Sequence, residues 1–294
     1  MKTTSVYLAF AFVLLATFTA SAPLRAQAAG PSREQLRVVD STKIQVITMR
    51  DGSSLIGRIV SAGTDSVDFQ MGIGRVSVPI KDIREITEAD SDAMHEGEYW
   101  FPNPNSTRLF FAPTGHMLKK GEGYFSDYVL IFPGFAYGLT DNVSIGGGIS
   151  LIPGELENQI YYFTPKVGVS LSEKVHVSTG FLLAGTRGGT GGVGYGVGTF
   201  GDGDASATVG VGWGFAGGEI QNKPLAMLGG EARVSRRIAF VTENYLLPIE
   251  SDNNIIYSFG VRFMGEKLTT DLALVNSSGG NGIGVPYVDF VFKF

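Results

Sequence analysis

The C-terminal residues of this chain alternate strictly between two kinds of side chain. Val288, Phe290, Phe292 and Phe294 share one parity, while Tyr287, Asp289, Val291 and Lys293 share the other. Successive side chains of a β-strand point to opposite faces, so such a segment has one wholly apolar face and one that tolerates charge. The same pattern recurs upstream. Val143, Ile145, Ile149 and Leu151 oppose Ser144, Gly146, Gly148 and Ser150. Ile255, Tyr257, Phe259, Val261 and Phe263 oppose Ser258, Gly260 and Arg262. Between Ser106 and Phe294 the pattern predicts twelve strands, near 107–117, 124–139, 143–152, 160–171, 175–186, 192–200, 206–219, 225–234, 238–249, 255–264, 268–276 and 285–294.

What surrounds the apolar face follows from the rest of the chain. Met1 to Ala28 read as a secretory signal peptide: Lys2 supplies the positive start, Val6 to Phe18 the apolar core, and Ala26-Gln27-Ala28 the small-residue site for cleavage. No later stretch is apolar and long enough for a membrane helix, which needs roughly 20 residues. An exported chain that stays in a membrane without helices has to close into a barrel, because lipid leaves no partner for an open backbone edge. The fold class expected is therefore all-β, a transmembrane antiparallel barrel preceded by a small β domain.

Composition agrees and excludes other classes. Gly is 41 of 294 residues and charged residues only 17%, but Phe and Tyr together number 31, too aromatic for a disordered chain. There is no Cys, which removes disulfides, thiolate metal sites and a lipid-modified N-terminal Cys. Loss of Lys2 and Arg25 with the signal moves the formal charge from −5 to about −7. That acidic balance, without a basic run, argues against nucleic acid as a partner.

The final strand, with Val288, Phe290, Phe292 and Phe294 on one face, resembles the terminal signal that the barrel-assembly machinery reads in Gram-negative outer-membrane proteins. Over about 190 residues the chain is similar to the broad class of small outer-membrane barrels, porin-like proteins among them. That resemblance implies an outer-membrane location, contact with outer-membrane lipid and the assembly machinery as a partner. Turns at Thr140-Asp141-Asn142, Ser172-Glu173-Lys174, Asp202-Gly203-Asp204, Arg236-Arg237 and Glu266-Lys267 are expected at the periplasmic end, together with both ends of the barrel.

Residues 38–87 read as a separate small β domain. Ile44, Val46 and Ile47 precede an Asp51-Gly52 turn; Leu55–Val60, Ser66–Met71 and Val76–Ile80 follow as strands, with Ile83 and Ile86 in a short apolar element. The run Asp51 to Val60, with Val78-Pro79 and Asp82 to Ile86, resembles small SH3-like or Sm-like barrels, which implies a contact or spacer module in the periplasm and a protein partner there. Residues 88–105 read as a linker, acidic at first (Glu88, Asp90, Asp92, Glu96, Glu98), then Pro/Asn-rich. Within it Tyr99, Trp100 and Phe101 suit an interfacial aromatic girdle or contact with a plug.

The polar face predicts an inward set of charges: Lys166, Glu231, Arg233, Glu243, Arg262, Asp271, Asp289 and Lys293, concentrated on the later strands. The earlier strands are expected to turn Gly146, Gly148, Gly168, Gly180, Gly194, Gly196, Gly198, Gly210, Gly212 and Gly214 inward. Such a lumen is either a narrow pore with one charged wall or a sheet whose glycines permit the strong local bending of closure or receive aromatic rings from elsewhere.

No cofactor or metal motif is present, since the only histidines are His95, His116 and His176. Gly189 to Gly194 match GxGxxG but continue as strand, so the dinucleotide reading is rejected. His116 near Ser126 or Asp127 is the only grouping that suggests a lipid-modifying enzyme. The function expected is a narrow channel for small solutes; a membrane anchor presenting the N-terminal domain is the alternative, and a lipid hydrolase or acyltransferase the second.

Overall fold

The computed structural model describes residues 31–154, 159–249, 252–279 and 282–294. The expected signal peptide lies outside the described residues. The chain divides into two compact units, Met1–His95 and Glu96–Phe294.

In the first unit five antiparallel strands form one sheet: β1 (Lys43–Met49), β2 (Ser54–Ala62), β3 (Ser66–Met71), β4 (Gly74–Pro79) and β5 (Ile83–Asp90), in the order β4-β3-β2-β1-β5. The Asp-Gly turn between β1 and β2 forms as expected, with Gly52 at φ 91°. Its Asp51 carboxylate accepts the Ser53 hydroxyl at 2.6 Å and the Ser53 N–H at 2.8 Å, and these bonds hold its pKa below the usual carboxylate range. Ile47, Ile59, Val67, Phe69, Val78, Ile83 and Ile86 form the core.

Ile83 and Ile86 belong to a full eight-residue strand rather than a short element. Their spacing of three breaks a period of two, but the register against β1 slips between Thr48 and Met49. This bulge absorbs one residue and returns both isoleucines to the core. A second slip in β2, between Ile59 and Ser61, frees the Ile59 N–H, and the buried Gln45 side chain accepts it at 2.8 Å.

The second unit is a closed antiparallel barrel. Its wall runs through β6 (Gly123–Tyr128), β7 (Phe132–Thr140), β8 (Val143–Ile149), β9 (Tyr161–Phe163), β10 (Lys166–Ser172), β11 (Val175–Thr186), β12 (Gly189–Gly201) and β13 (Ala205–Ala216). After a short arm, β14 (Glu219–Ile220), it continues with β15 (Leu225–Ser235), β16 (Ile238–Ile249), β17 (Asp252–Met264), β18 (Leu268–Ser277) and β19 (Val285–Lys293). β9 and β10 act as one wall strand, because their register against β8 is the same on both sides of Thr164-Pro165 (Gly147 opposite Phe163, Val143 opposite Val167). Counted so, the wall has twelve strands. It closes where β19 pairs with β6: Asp289 lies opposite Tyr128 and Lys293 opposite Tyr124, and Gly123 and Phe294 exchange hydrogen bonds of 2.9 and 3.2 Å.

Faces follow the alternation. Phe290, Phe292, Phe294, Phe240, Phe259 and Leu272 are exposed on the outside, whereas Ser144, Ser258, Arg262 and Asp289 are buried inside. A continuous exposed apolar belt of this kind is a liability in water and the normal surface of a barrel in lipid. The five turns named above and both ends of the wall share one end of the barrel, as antiparallel strands in even number require.

Two departures cancel in the strand count. The segment 107–117, expected as the first strand, is not part of the wall. The stretch 124–139, expected as one strand, is the hairpin β6–β7. Its turn is built from Val129 (φ 48°) and Leu130 (φ 63°), with the Ile131 N–H donating to the Tyr128 carbonyl at 3.2 Å. Positive φ at both central residues normally calls for Asn or Gly, so nothing in the residue types marks this turn.

A third departure concerns β12. Val193, Tyr195, Val197 and Thr199 face inward, so Gly194, Gly196 and Gly198 lie on the outer face, against the expectation; a Cβ on Gly196 or Gly198 would meet nothing. The GxGxxG match falls in this strand, hydrogen-bonded on both sides. An L-residue in the left-handed region costs about 1–2 kcal/mol. Leu130→Gly is therefore expected to stabilise the barrel by about 1 kcal/mol, read as a higher urea midpoint in detergent micelles. An unchanged or lower midpoint would mean that the turn carries no strain.

Candidate functional site

Wall side chains fill an eight-strand barrel, whereas sixteen strands leave an open channel. Twelve fall between, and here the chain supplies its own filling. Residues 101–118 lie inside the wall: Phe101, Asn105, Arg108, Leu109, Phe110 and Leu118 are all buried. The middle of this segment is a tight loop. Arg108 and Pro113 form an isolated bridge, Leu109 N–H donates to the Ala112 carbonyl at 2.9 Å, and Thr114 N–H to that of Thr107 at 3.0 Å. The linker aromatics likewise form no girdle, since Phe101 is buried and the Arg233 guanidinium lies 4.9 Å from the ring centres of Trp100 and Phe101.

The inward charges hold this plug. Glu243 Oε2 accepts the backbone N–H groups of Phe110, Phe111 and Ala112 at 2.8, 3.0 and 3.0 Å, and its Oε1 accepts the Tyr245 hydroxyl at 2.7 Å. Successive N–H groups converging on one oxygen form a nest for an anion, and here the wall supplies the anion.

Arg262, fully buried, donates to Asp271 through Nε and Nη2 at 2.8 and 2.7 Å and to Glu231 at 2.6 Å. The same guanidinium reaches the plug carbonyls of Asn105 at 3.0 Å and Leu109 at 2.9 Å. Glu231 also accepts the Asn103 amide at 2.7 Å. Arg233 donates to the Phe101 carbonyl at 2.8 Å and to Asp204 at 2.7 Å. Asp289 pairs with Arg108 of the plug. Lys166 donates to the carbonyls of His116 at 2.7 Å and Thr107 at 3.3 Å.

Six of the eight charges read from the sequence thus contact the plug directly, and Asp271 acts through Arg262. Lys293 stands apart, paired with Glu122 at 3.1 Å.

The inward glycines make room. Leu109 packs on Gly229 and Met117 on Gly168, at distances a Cβ would deny. The aromatic reading also applies, because a Cβ on Gly180 would stand 2.7 Å from the Tyr195 hydroxyl, and Tyr162 lies over Gly134 and Gly148. The functional residues that the strand pattern missed are those of the plug itself. No local signal sets it apart: Leu109-Phe110-Phe111-Ala112 is four apolar residues in succession, but wall strands carry such runs too, Phe181 to Ala184 in β11 and Leu272 to Val275 in β18.

The plug leans on the charged wall formed by β15 to β19. On the other side it leaves a cavity of about 580 Å³, lined mostly by β6 to β13 with Leu225, Met227 and Tyr245 from β15 and β16. Phe111, Tyr128, Leu182, Val193, Tyr195 and Met227 line it, with Arg108 and Lys166 where it meets the plug.

The enzyme grouping does not assemble. His116 lies against His176, with ring centres 4.1 Å apart and planes tilted by 38°, and among the described residues it makes no hydrogen bond to Ser126 or Asp127. Ser170 Oγ lies 2.8 Å from His176 Nδ1, but among the described residues no carboxylate bonds either imidazole. A serine–histidine contact without an orienting third group is half of a triad.

Removing Glu243 strands three amides, those of Phe110 and Ala112 buried and that of Phe111 partly so, at about 1–3 kcal/mol for an unmet buried group. Glu243→Ala is expected to speed hydrogen exchange of residues 107–114 at least 100-fold while the wall amides of β17 and β18 keep their rates. Equal rates in both proteins would mean that Glu243 does not hold the loop.

No family model matches this chain, and no curated protein matches it. Among solved structures it is similar to the KdgM porin in complex with disordered oligogalacturonate, at 9% identity and a TM-score of 0.46, over 59% of this chain and 98% of that one. It is also similar to OmpTdeltaL8, a loop-deletion mutant of an outer membrane protein of Vibrio cholerae, at 11% and 0.35 over 86% and 97%. A third is the outer membrane protein Omp33 of Acinetobacter baumannii, at 8% and 0.36 over 59% and 95%. Likeness at this level lends the chain no ligand, residue role or activity, and the barrel rests on its own hydrogen-bond register.

Proposed function

We propose that this chain is an outer-membrane channel for small solutes, closed at rest by its own residues 101–118. In this reading the wall assembles through the barrel-assembly machinery, and the turns at 140–142, 172–174, 202–204, 236–237 and 266–267 face the periplasm. There the N-terminal unit, an SH3-like module on this view, meets a periplasmic protein. The observation that carries the reading is how the plug is held: by charges and hydrogen bonds to its backbone, beside a preformed cavity. Polar contacts can pass to water when the segment leaves, and they act beside an apolar cluster in which Leu109, Phe110 and Ala112 pack on Val197, Met227, Val241, Ala273 and Tyr287.

The same contacts favour a second reading. Apart from Lys166, each inward charge named above is met by an opposite charge or, for Glu243, by the amide nest. A barrel so satisfied could serve as a permanently closed anchor for the N-terminal unit.

Conductance separates the two. The chain lacking its first 28 residues is expected to give rare, small steps in a planar bilayer. The Arg108→Ala/Glu243→Ala double variant, with the plug cut loose from β16 and β19, is expected to raise mean conductance at least tenfold. A variant that folds to a heat-modifiable band yet stays silent would overturn the channel and leave the anchor.

A further inference from the structure

Lys166 is the exception among the inward charges. Arg262 is met by Glu231 and Asp271, Arg108 by Asp289 and Arg233 by Asp204. The Lys166 ammonium has only the two carbonyls of Thr107 and His116, and among the described residues no carboxylate pairs with it. An ammonium has three protons to donate. Two are used, and the side chain lines the cavity beside the plug. A cation taken out of water without a counter-charge is costly, so a site of this kind favours an anion that brings the missing charge.

The cavity states what the rest of that anion should be. None of its lining residues is acidic. Its walls are apolar and aromatic, from Phe111, Leu182, Val193, Val197 and Met227. Tyr124, Tyr128 and Tyr195 also line it, and their hydroxyls hydrogen-bond to nothing among the described residues. A volume of about 580 Å³ is ordinary for a small-molecule pocket, as is a mostly apolar lining with a few polar groups that orient the ligand.

We infer that the cavity binds an amphipathic monocarboxylate, with its carboxylate on Lys166 and its hydrocarbon body along Leu182, Val193 and Tyr195. This rests on the channel reading and names its solute class. A neutral apolar solute would leave the ammonium unmet. A sugar acid would meet the few lining hydroxyls but set the rest of its own against Phe111, Leu182, Val193 and Met227.

The test uses the chain without its first 28 residues in lipid nanodiscs, with empty discs as blank, and decanoate and 1-decanol as probes in calorimetric titration. Decanoate is expected to bind saturably, one per barrel, at least tenfold more tightly than decanol. Lys166→Met should remove that preference by weakening decanoate tenfold or more, and Lys166→Arg should keep it. Val193→Trp, which fills the cavity and leaves the charge alone, should weaken both probes. If Lys166→Met does not fold, the two probes on the unaltered chain and Val193→Trp still decide.

Equal affinity for the two probes, unmoved by Lys166→Met, would overturn the role of the cation. No saturable binding above blank discs would overturn the site itself. Neither result touches the channel, which stands or falls on the conductance of the Arg108→Ala/Glu243→Ala variant.

Discussion

Arg262 lies inside the barrel, close to the end that carries the turn at 266–267, with none of its surface exposed, and it joins the wall to the plug. Its guanidinium binds carboxylates on β15 and β18 and carbonyls of the plug, so wall and plug each hold part of what it needs. Taking one partner from a buried ion pair costs about 3–5 kcal/mol, because a charge is left unmet away from water. The plug's amides and Glu243 stand in the same relation with the signs reversed. Neither wall nor plug is a finished object alone, and the interior orders as one unit.

That dependence gives the barrel two unlike halves. β15 to β19 carry most of the charges that grip the plug, joined by Lys166, Ser178 and Thr199 on β10 to β12. β6 to β13 carry glycine, serine and tyrosine inward and leave space. The charged wall meets the plug, and glycines that receive aromatic rings lie on the opposite side of the same lumen. Side chains that close the passage and side chains suited to touch a solute are different residues, so either set can change with little effect on the other. Lys166 belongs to both, since it binds the plug and lines the cavity.

Much of this was legible in the residues. Period two separated Phe290 from Asp289 and Phe259 from Arg262, because lipid and a packed interior demand opposite chemistry. The signal is weakest where that contrast disappears. In β12 both faces are small or apolar, and the glycines were assigned to the wrong side. At Val129-Leu130 a turn is made by residues that avoid such turns, held by the strands on either side. The plug was read as a strand because it is buried and partly apolar, as a wall strand is. A local pattern reports burial; it does not report whether the buried segment is wall or filling.

Arg108 has a neighbour on each side of the line where the barrel closes. It pairs with Asp289 on β19, and its guanidinium lies 4.4 Å from the centre of the Tyr128 ring on β6. Asp289 and Tyr128 are themselves register partners across that seam. The plug therefore works like a bolt drawn across a door from within. While it is seated, the first and last strands are tied by a side chain as well as by their backbones. When it moves, the same joint loses that tie and Asp289 loses its counter-charge. Opening the lumen and loosening the cylinder are then not independent events, and a chain that has released its plug is also the one whose edge strands part most readily.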